Sequence, residues 1–571
     1  MPNCLNMKKL INTLFFLPFL IYLNAQCDPP LVMTDLNVNN VKARLLTGGD
    51  LWWDRDNAGY FTPKNHPDNV AAIFTGGLFI GGLDPGGNLK VSAQTYGAAN
   101  GNYNYWPGPL DEETGNTSAD NCANFDRFWK IKKTDIEAHI ADYEDDGIIN
   151  NPIPPAIQAW PAKGNPLFVL QNGFQMPFQE LAPYVDRHGN GNYNPYHGDY
   201  PKIKGDEAIF WVINDMGDGN VSANGFQPVQ MEIQAMAYAC SEPGSALDNT
   251  TFYEFSYVNR AQEPIFDFMA TLWVDPDLGC YSDDFIGSSP EHKMAIIYNE
   301  DAVDGSTGTV CFGDIPTYGQ NIPIVGIKVM DSTPNHLGED VGFSSFTYWM
   351  SIPLGQPPLG LVGPGSAQEF YNYMTGFARD GTPFTEGGDG YNLNSTDTIQ
   401  HVFSGNPSDP WSWSLCNASG ISASRLMMLN SGPYNLNPGE KITITYAVIT
   451  QLSADYPCPS FEIITQMGEE IANECEGFTD VSDVNLNPSD ISVFPNPMNN
   501  FTEIVSKNSN NPLTEIILTN ASGKTVRTFS NLNSNRFLLE KKDLTSGIYF
   551  LKIVTKRNLP KTEKLIILDF K

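Results

Sequence analysis

Short apolar segments separated by turn residues recur along most of this chain, and their length predicts strands more often than helices. Residues 207–213 are almost entirely apolar, which predicts a strand that is buried on both faces. Residues 231–239 alternate between apolar and polar side chains, so one face of that strand is expected to meet the core. Residues 251–259 and 265–274 are predicted to form paired strands, and residues 441–449 a further strand of the same body.

Helical periodicity is confined to two stretches of the body. Residues 125–143 combine helical spacing with charged side chains, and apolar positions at helical spacing predict a helix over residues 459–473. The chain has 50 Gly and 42 Pro, and residues 350–420 are rich in Gly, Pro, Ser and Asn, which predicts mostly loop there. We therefore predict a mainly β protein, with a β-sandwich-like body, long Gly/Pro/Asn-rich loops and few helices.

The carboxy-terminal segment, residues 491–571, repeats the strand–turn–strand pattern at short intervals. Apolar runs at 515–519 and 525–529 flank a Gly-containing turn, and further runs follow at 536–539 and 548–554. A spacing of about ten residues between strands predicts a small antiparallel Ig-like β-sandwich.

Four motifs of this segment occur in a fixed order. They are Phe-Pro-Asn-Pro at 494–497, the turn at 520–525, Leu-Thr-Ser-Gly-Ile-Tyr-Phe at 544–550, and a final Lys-rich strand. Together they strongly resemble the C-terminal sorting domain of the type IX secretion system of Bacteroidota. The resemblance implies contact with the type IX secretion machinery, export through the outer membrane, and then release or attachment at the cell surface.

Motifs of the body resemble large exported proteins of the same bacterial group. They lie at residues 81–84, 106–110, 198–201, 273–279 and 379–383. This second resemblance implies an exported location, and it implies no particular chemistry.

The chain is expected to comprise four segments. Two lysines, an apolar run and a small-residue cleavage site predict a signal peptide at residues 1–25. A β-rich exported body at 26–476, with room for two subdomains, is followed by a polar linker at 477–490 and the sorting domain at 491–571. No other stretch is long and apolar enough to span a membrane, so the mature chain is expected to lack a transmembrane segment.

Charge is distributed unevenly along the chain, whose formal net charge is −32. Residues 491–571 hold 12 Lys and Arg against 6 Asp and Glu, and residues 1–25 hold two Lys. That leaves 19 basic and 59 acidic residues in 26–490, a net charge of −40. So acidic a body disfavours nucleic acid and anionic membranes as partners, and it suits cation binding or solubility in a salty exterior.

Eight cysteines follow the predicted signal peptide: Cys27, Cys122, Cys240, Cys280, Cys311, Cys416, Cys458 and Cys475. An even number in an exported chain predicts up to four disulfides, without specifying which cysteines pair. Cys458 and Cys475 flank the predicted helix and would lie about 25 Å apart, well beyond the ~7 Å limit between bridged Cα atoms. We therefore expect each of them to pair elsewhere.

Two acidic segments have the composition of calcium-binding loops, because hard cations prefer oxygen ligands and a glycine allows the chain to wrap around the ion. The candidate ligands are Asp142, Glu144 and Asp146 in the first segment, and Asp186, Asn190, Asn192, Asn194 and Asp199 in the second. The first segment lacks an acid at the twelfth position. In the second, His188 replaces an oxygen ligand and His197 stands where a bidentate carboxylate is needed. The alternative is a pair of Asn/Asp/Gly turns that bind nothing.

The third acidic segment contains Asp275, Asp277, Asp283 and Asp284. Alternating aspartates at a strand end place two carboxylates on one side of it, which suits a metal ion, an acid/base pair for glycoside hydrolysis, or a capped strand end. We favour metal binding or capping over catalysis. The zinc-binding His-Glu-x-x-His, Gly-x-Ser-x-Gly and phosphate-loop motifs are missing from the sequence.

Two functions are therefore open. The first is a non-enzymatic secreted or cell-surface protein with a calcium-stabilised body that acts in binding or adhesion, with extracellular glycan as a candidate partner. The second is an extracellular polysaccharide hydrolase that uses two of the clustered carboxylates.

Overall fold

The computed structural model divides the chain into two compact units, Met1–Glu476 and Gly477–Lys571, and each is described by itself. The residues described are 27–97, 103–218, 226–305, 311, 315–351, 357–418, 424–471, 475, 491–506, 512–520, 524–555 and 560–568. The predicted signal peptide and linker lie outside them. Among the described residues, no helix combines the length and apolar character needed to cross a membrane.

Helices are short and few in comparison with strands. Six α-helices have described bounds: α1 Ala119–Phe125, α2 Lys133–Asp146, α3 Pro155–Ala159, α4 Phe168–Asn172, α5 Ala367–Met374 and α6 Glu462–Glu470. The strands of the first unit are β1 Met33–Leu36, β2 Lys42–Leu46, β3 Tyr60–Phe61, β4 Ala71–Ile73, β5 Thr75–Leu83, β6 Leu89–Ala93, β7 Trp106–Pro107, β8 Trp129–Lys132, β9 Tyr184–Val185, β10 Tyr200–Pro201, β11 Glu207–Asn214, β12 Met231–Ala239, β13 Thr250–Asn259, β14 Ile265–Asp275, β15 Asp284–Ser289, β16 Met294–Asn299, β17 Ile324–Ser332, β18 Ser345–Ser351, β19 Ser424–Leu436 and β20 Lys441–Gln451. Those of the second are β21 Ile491–Phe494, β22 Phe501–Ser506, β23 Leu513–Asn520, β24 Thr525–Phe529, β25 Arg536–Glu540, β26 Gly547–Thr555 and β27 Pro560–Ile567.

The first unit contains two large antiparallel sheets, a four-stranded sheet β1–β2–β3–β4 and the two-stranded sheet β9–β10. The larger has nine strands in the order β15–β16–β17–β20–β13–β12–β11–β7, with β8 also paired to β11. The second has the order β18–β19–β14–β5–β6. One apolar core contains side chains of both sheets, and the Trp52 indole N–H donates to the hydroxyl of Tyr253 in β13 at 2.8 Å. The mainly β, sandwich-like body predicted from the sequence is confirmed.

The predicted pairing of residues 251–259 with 265–274 is wrong. β13 pairs with β12 and β20 in the larger sheet, whereas β14 pairs with β5 and β19 in the smaller one. The link between β13 and β14 therefore crosses from one sheet to the other. Apolar pattern identifies a strand, but it does not distinguish a hairpin from such a crossing.

Two further segments differ from their sequence interpretation. Every residue of β12 is buried, because Glu232 on its polar side accepts hydrogen bonds from the Leu110 backbone and the Gln179 amide, which cover that face. Residues 125–143 are not one helix: they contain β8 and most of α2, since β8 joins the edge of the larger sheet beside β11. The helix predicted at 459–473 is confirmed as α6.

All eight cysteines of the described body are paired. The disulfides are Cys27–Cys122, Cys240–Cys475, Cys280–Cys311 and Cys416–Cys458. As predicted, Cys458 and Cys475 pair with separate partners.

This pairing leaves none of these eight cysteines with a free thiol. We expect iodoacetamide to label none of these eight cysteines in the unreduced secreted protein, and all eight after reduction in denaturant. Mass spectrometry of both samples measures the difference. Labelling of most of the cysteines without reduction would contradict the disulfides.

The second unit is a small sandwich of two antiparallel sheets. Their strand orders are β21–β22–β25 and β24–β23–β26–β27, and they share a separate apolar core that includes Leu518, Leu551 and Ile567. Asn496 of the Phe-Pro-Asn-Pro motif donates to the Lys564 carbonyl oxygen at 2.6 Å and accepts from the Ile566 N–H at 3.0 Å. The motif therefore fixes the first strand of the unit to its last.

Candidate metal centre

Aspartates gather where β14 ends and β15 begins. β14 ends at Asp275 and β15 starts at Asp284, so Asp277 and Asp283 lie in the connection between them. Asp304, from the connection between β16 and β17, joins them. Asp277 is partly exposed and the other four are buried. We call these five residues the aspartate centre.

Backbone amides hold one oxygen of two of these carboxylates and leave the other oxygen without a donor. The Leu278 N–H donates to Asp284 Oδ2 at 2.8 Å, and the Gly305 N–H donates to Asp283 Oδ2 at 3.0 Å. The Oδ1 atoms of Asp283 and Asp284 are buried, and they accept no hydrogen bond from the residues described. A buried carboxylate oxygen without a partner is costly, so these two atoms are suited to bind a cation.

The third carboxylate brings a second part of the chain to the same point. Asp304 accepts from the backbone N–H groups of Cys280 and Tyr318, at 2.9 and 2.5 Å. A carboxylate oxygen of Asp304, one of Asp283 and the Cys280 sulfur lie within 4.8 Å of one another. Because that sulfur is in the disulfide with Cys311, the hard oxygen atoms dominate the ligand set.

Among the described residues, no positively charged side chain pairs with these five carboxylates. Burial is therefore the main influence on their pKa values. Burial raises the pKa of Asp275 and of Asp283 to about 7, and the pKa of Asp304 to about 6. Burial, with added repulsion from Asp283 and Asp277, raises the pKa of Asp284 far above its ordinary value. The pKa of Asp277 rises in the same way, through burial and the nearby Asp275. A bound divalent cation would reverse this penalty and allow the carboxylates to ionise together.

The outer side of the centre adjoins a cavity. Asp277 lines this cavity, which has a volume of about 560 Å³. Asp275 lies beneath and accepts a hydrogen bond from the Tyr96 hydroxyl. The centre thus has three inner carboxylates, at positions 283, 284 and 304. Its outer pair is Asp275 and Asp277, of which Asp277 lines the cavity.

The first acidic segment forms the end of a helix instead of a loop. Asp142, Glu144 and Asp146 occupy the last turns of α2. Asp142 accepts from the Asn150 N–H at 3.0 Å, Asp146 accepts from a following backbone amide at 2.9 Å, and Glu144 pairs with Arg187 at 3.1 Å. These oxygens therefore already serve as turn acceptors and ion-pair partners.

The second segment is a chain of tight turns. Asp186 accepts from backbone amides two and five residues further on, at 3.1 and 2.7 Å, and Asn190 accepts from the Asn192 N–H at 2.9 Å. The Asn194 side chain caps the short 3₁₀ helix that follows it, and the Asn194 backbone N–H donates to the buried Asp199 carboxylate at 2.8 Å. Arg187 connects this segment to the first one through Glu144, and no described hydrogen bond or ion pair joins either segment to the aspartate centre.

Sequence analysis identified four members of the centre and missed the fifth. Asp304 lies in a polar connection without periodicity, and it stands directly before Gly305, a pair that also occurs in ordinary turns. The disulfide between Cys280 and Cys311 closes the chain around this connection. Knowledge of that disulfide is what could have suggested that Asp304 lies near Asp283.

Comparison with known proteins identifies the second unit. Residues 492–568 match the family model described as a secretion system C-terminal sorting domain. The chain is therefore an exported protein of the type IX secretion system, of the kind typical of Bacteroidota, and it is secreted or attached to the outer cell surface. The sorting function predicted from the four motifs is confirmed.

The comparisons that reach the body are weak in identity and in structural similarity. No curated protein matches the sequence. A solved structure described as a polysaccharide lyase is similar at 12% identity and a TM-score of 0.16, over 59% of this chain and 34% of that chain. The chain thus spans about a third of the length of that structure, and a similarity this weak carries no argument about activity.

Proposed function

We propose that this protein acts in binding or adhesion outside the cell, with a body that is stabilised by calcium at the aspartate centre. The observation that carries the proposal is the pair of buried Oδ1 atoms of Asp283 and Asp284, which have no partner among the described residues. An oxygen of Asp283 lies within 4.8 Å of one of Asp304, and Asp284 is near enough to both for their charges to raise its pKa, so the three carboxylates form the start of an oxygen-rich cation site.

The ligand chemistry favours calcium over other metals. Calcium takes six to eight oxygen ligands in flexible geometry, whereas magnesium requires a nearly ideal octahedron and retains several waters. Zinc prefers imidazole and thiolate, and the only sulfur in the group is oxidised. Asp283, Asp284 and Asp304 would hold the ion, which would link the β14–β15 connection to the β16–β17 connection. The ion's contribution is therefore to stability.

A second candidate function uses the outer pair of the centre. Asp275 and Asp277 alternate at the end of β14, and Asp277 lines the cavity, as a proton donor of a glycoside hydrolase would. Release of reducing sugar from polysaccharide, lost in Asp277→Asn, would favour this function. Binding without release favours adhesion.

Calcium is expected to raise the unfolding temperature of the body in the mature full-length protein. Extracellular sites bind calcium with dissociation constants of about 10⁻⁴–10⁻³ M, so millimolar calcium should contribute about 1–2 kcal/mol. The measurement is thermal unfolding by tryptophan fluorescence in chelator, magnesium and calcium at matched ionic strength. All ten tryptophans lie in the first unit, so this signal reports on the body alone.

Two variants distinguish the aspartate centre from the acidic segments. Asp283→Asn should be more stable than the wild type in chelator, because it removes a buried charge, and should lose the calcium response. Asp186→Asn is the matched control and should keep the full response, because Asp186 is saturated by backbone amides. Equal unfolding temperatures in all three solutions would contradict the proposal. A response lost only in Asp186→Asn would assign the ion to the second segment.

A further inference from the structure

The cavity beside Asp277 has the size and variety of lining expected of a ligand site. Its wall includes Lys42 and Arg44 of β2, Phe61 of β3, and Phe74 between β4 and β5. Its volume of about 560 Å³ falls within the range of about 300–1,000 Å³ that is usual for small-molecule sites. The nature of the lining then decides which ligand it fits.

The cavity has no excess of positive charge. Asp35 pairs with both cations, at 3.3 Å from Arg44 Nη2 and 3.9 Å from Lys42 Nζ. Three carboxylates of the lining add negative charge and outnumber the two cations: Asp54, Asp56 and Asp277. Polyanions are recognised by uncompensated Arg and Lys clusters, so a phosphate- or sulfate-rich ligand does not fit.

The wall combines aromatic surface with hydrogen-bonding groups. Phe61 and Phe74 are half-buried, and Lys42 Nζ lies 5.4 Å from the centre of the Phe61 ring. No donor among the described residues contacts the Asp277 carboxylate, and the Lys42 and Arg44 side chains provide donors at the same wall. A fitting ligand therefore offers apolar CH faces, hydroxyl donors and oxygen acceptors together.

We infer that this cavity binds neutral, hydroxyl-rich sugar units of an extracellular glycan. Sugar hydroxyls would donate to Asp277 and accept from Lys42 and Arg44, while the CH face of the ring would pack on Phe61 or Phe74. This assignment rests on the proposed binding function and supplies its ligand class.

Trp411 is the strongest competing surface for a sugar. Trp411 is 93% exposed, and its backbone N–H donates to the Asp409 carboxylate at 3.0 Å within a loop anchored by the Cys416–Cys458 disulfide. An indole presented in this way can stack on a sugar ring without any cavity. Trp411 does not line the cavity, so a single substitution there tests the alternative.

The experiment is calorimetric titration of the mature full-length protein, in calcium, with cello-, manno-, xylo- and malto-hexaose, and with heparin as the anionic probe. At least one neutral hexasaccharide is expected to bind. Asp277→Asn should weaken that binding by about tenfold or more, since a charged hydrogen bond contributes about 1.5–3 kcal/mol. Phe61→Ala should also weaken it, because the substitution removes the aromatic surface on which the sugar ring packs. Trp411→Ala should bind as the wild type does, and thermal unfolding should show that every variant is folded at the temperature of the titration.

Three outcomes would overturn the assignment: no binding of any neutral hexasaccharide, binding of heparin alone, or binding that is lost in Trp411→Ala and kept in both cavity variants. The two proposals fail separately. If calcium stabilises the protein but Asp277→Asn and Phe61→Ala bind the glycan as the wild type does, the metal site is supported and the cavity is refuted as the glycan site. If both cavity variants weaken glycan binding but calcium does not stabilise the protein, the cavity is supported as the glycan site and the metal site is refuted.

Discussion

Removal of residues 491–571 is expected to abolish export, so that the body accumulates in the periplasm. The reason is that these residues contain the sorting domain, matched over 492–568, and form a unit with its own core. The body retains its own core and its four disulfides without this unit, so it should fold and remain detectable inside the cell. Immunoblots of periplasm, cell surface and culture medium measure the distribution.

The control for this deletion is a transfer experiment. A reporter with a signal peptide, fused to residues 491–571, should reach the outside of the cell, whereas the same reporter without them should stop in the periplasm. Truncated body found outside the cell at the wild-type level would refute the sorting assignment. A full-length chain with Asn496→Ala is expected to export less, because this side chain fixes the first strand of the unit to the last.

The sorting unit was predictable from sequence because its structure is local. β23 and β24 are close in sequence and pair with each other, and the Asn520 side chain accepts from the Lys524 N–H at 3.0 Å. The hydroxyl of Tyr549 donates to the Thr545 carbonyl oxygen within the Leu-Thr-Ser-Gly-Ile-Tyr motif. Each motif thus forms contacts with near neighbours, and the apolar pattern between motifs determines the strands.

The body was predictable in its strands and not in their arrangement. β20 lies between β17 and β13 in the larger sheet, and β13 pairs with it across nearly two hundred residues of chain. No local pattern records such a pairing. The same limit affected the site. The sequence identified the four aspartates that are close to one another in the chain, at positions 275, 277, 283 and 284, but not Asp304, which belongs to the connection between β16 and β17.

Polar residues in β12 were misinterpreted for a related reason. Alternation predicted that Glu232 would face solvent, yet its side chain is fully buried. It pairs with Arg260 at 3.1 Å and accepts from the Gln179 and Gln234 amides at 3.1 and 2.8 Å. A carboxylate that organises a buried network looks, in sequence, the same as one on a solvated face.

Glu232→Ala is therefore expected to destabilise the body by about 3–5 kcal/mol, since breaking a buried ion pair leaves an uncompensated charge in the interior. Arg260 is 8% exposed and would keep only Glu112, whose side chain is half exposed, at 3.1 Å. The Leu110 N–H and the Gln179 amide would lose their shared acceptor as well. Urea unfolding followed by tryptophan fluorescence measures the change in the body alone.

Glu254→Ala on the neighbouring strand β13 is the matched control. Glu254 pairs with Lys204 at 2.9 Å, but both side chains are partly exposed, so its removal should cost at most about 1 kcal/mol. The two substitutions delete the same chemical group from adjacent strands, and burial is the main difference between them. Equal losses of stability in both variants would mean that the Glu232 network contributes no more than a surface ion pair, and that another feature holds the segment containing Leu110 and Gln179 against the sheet.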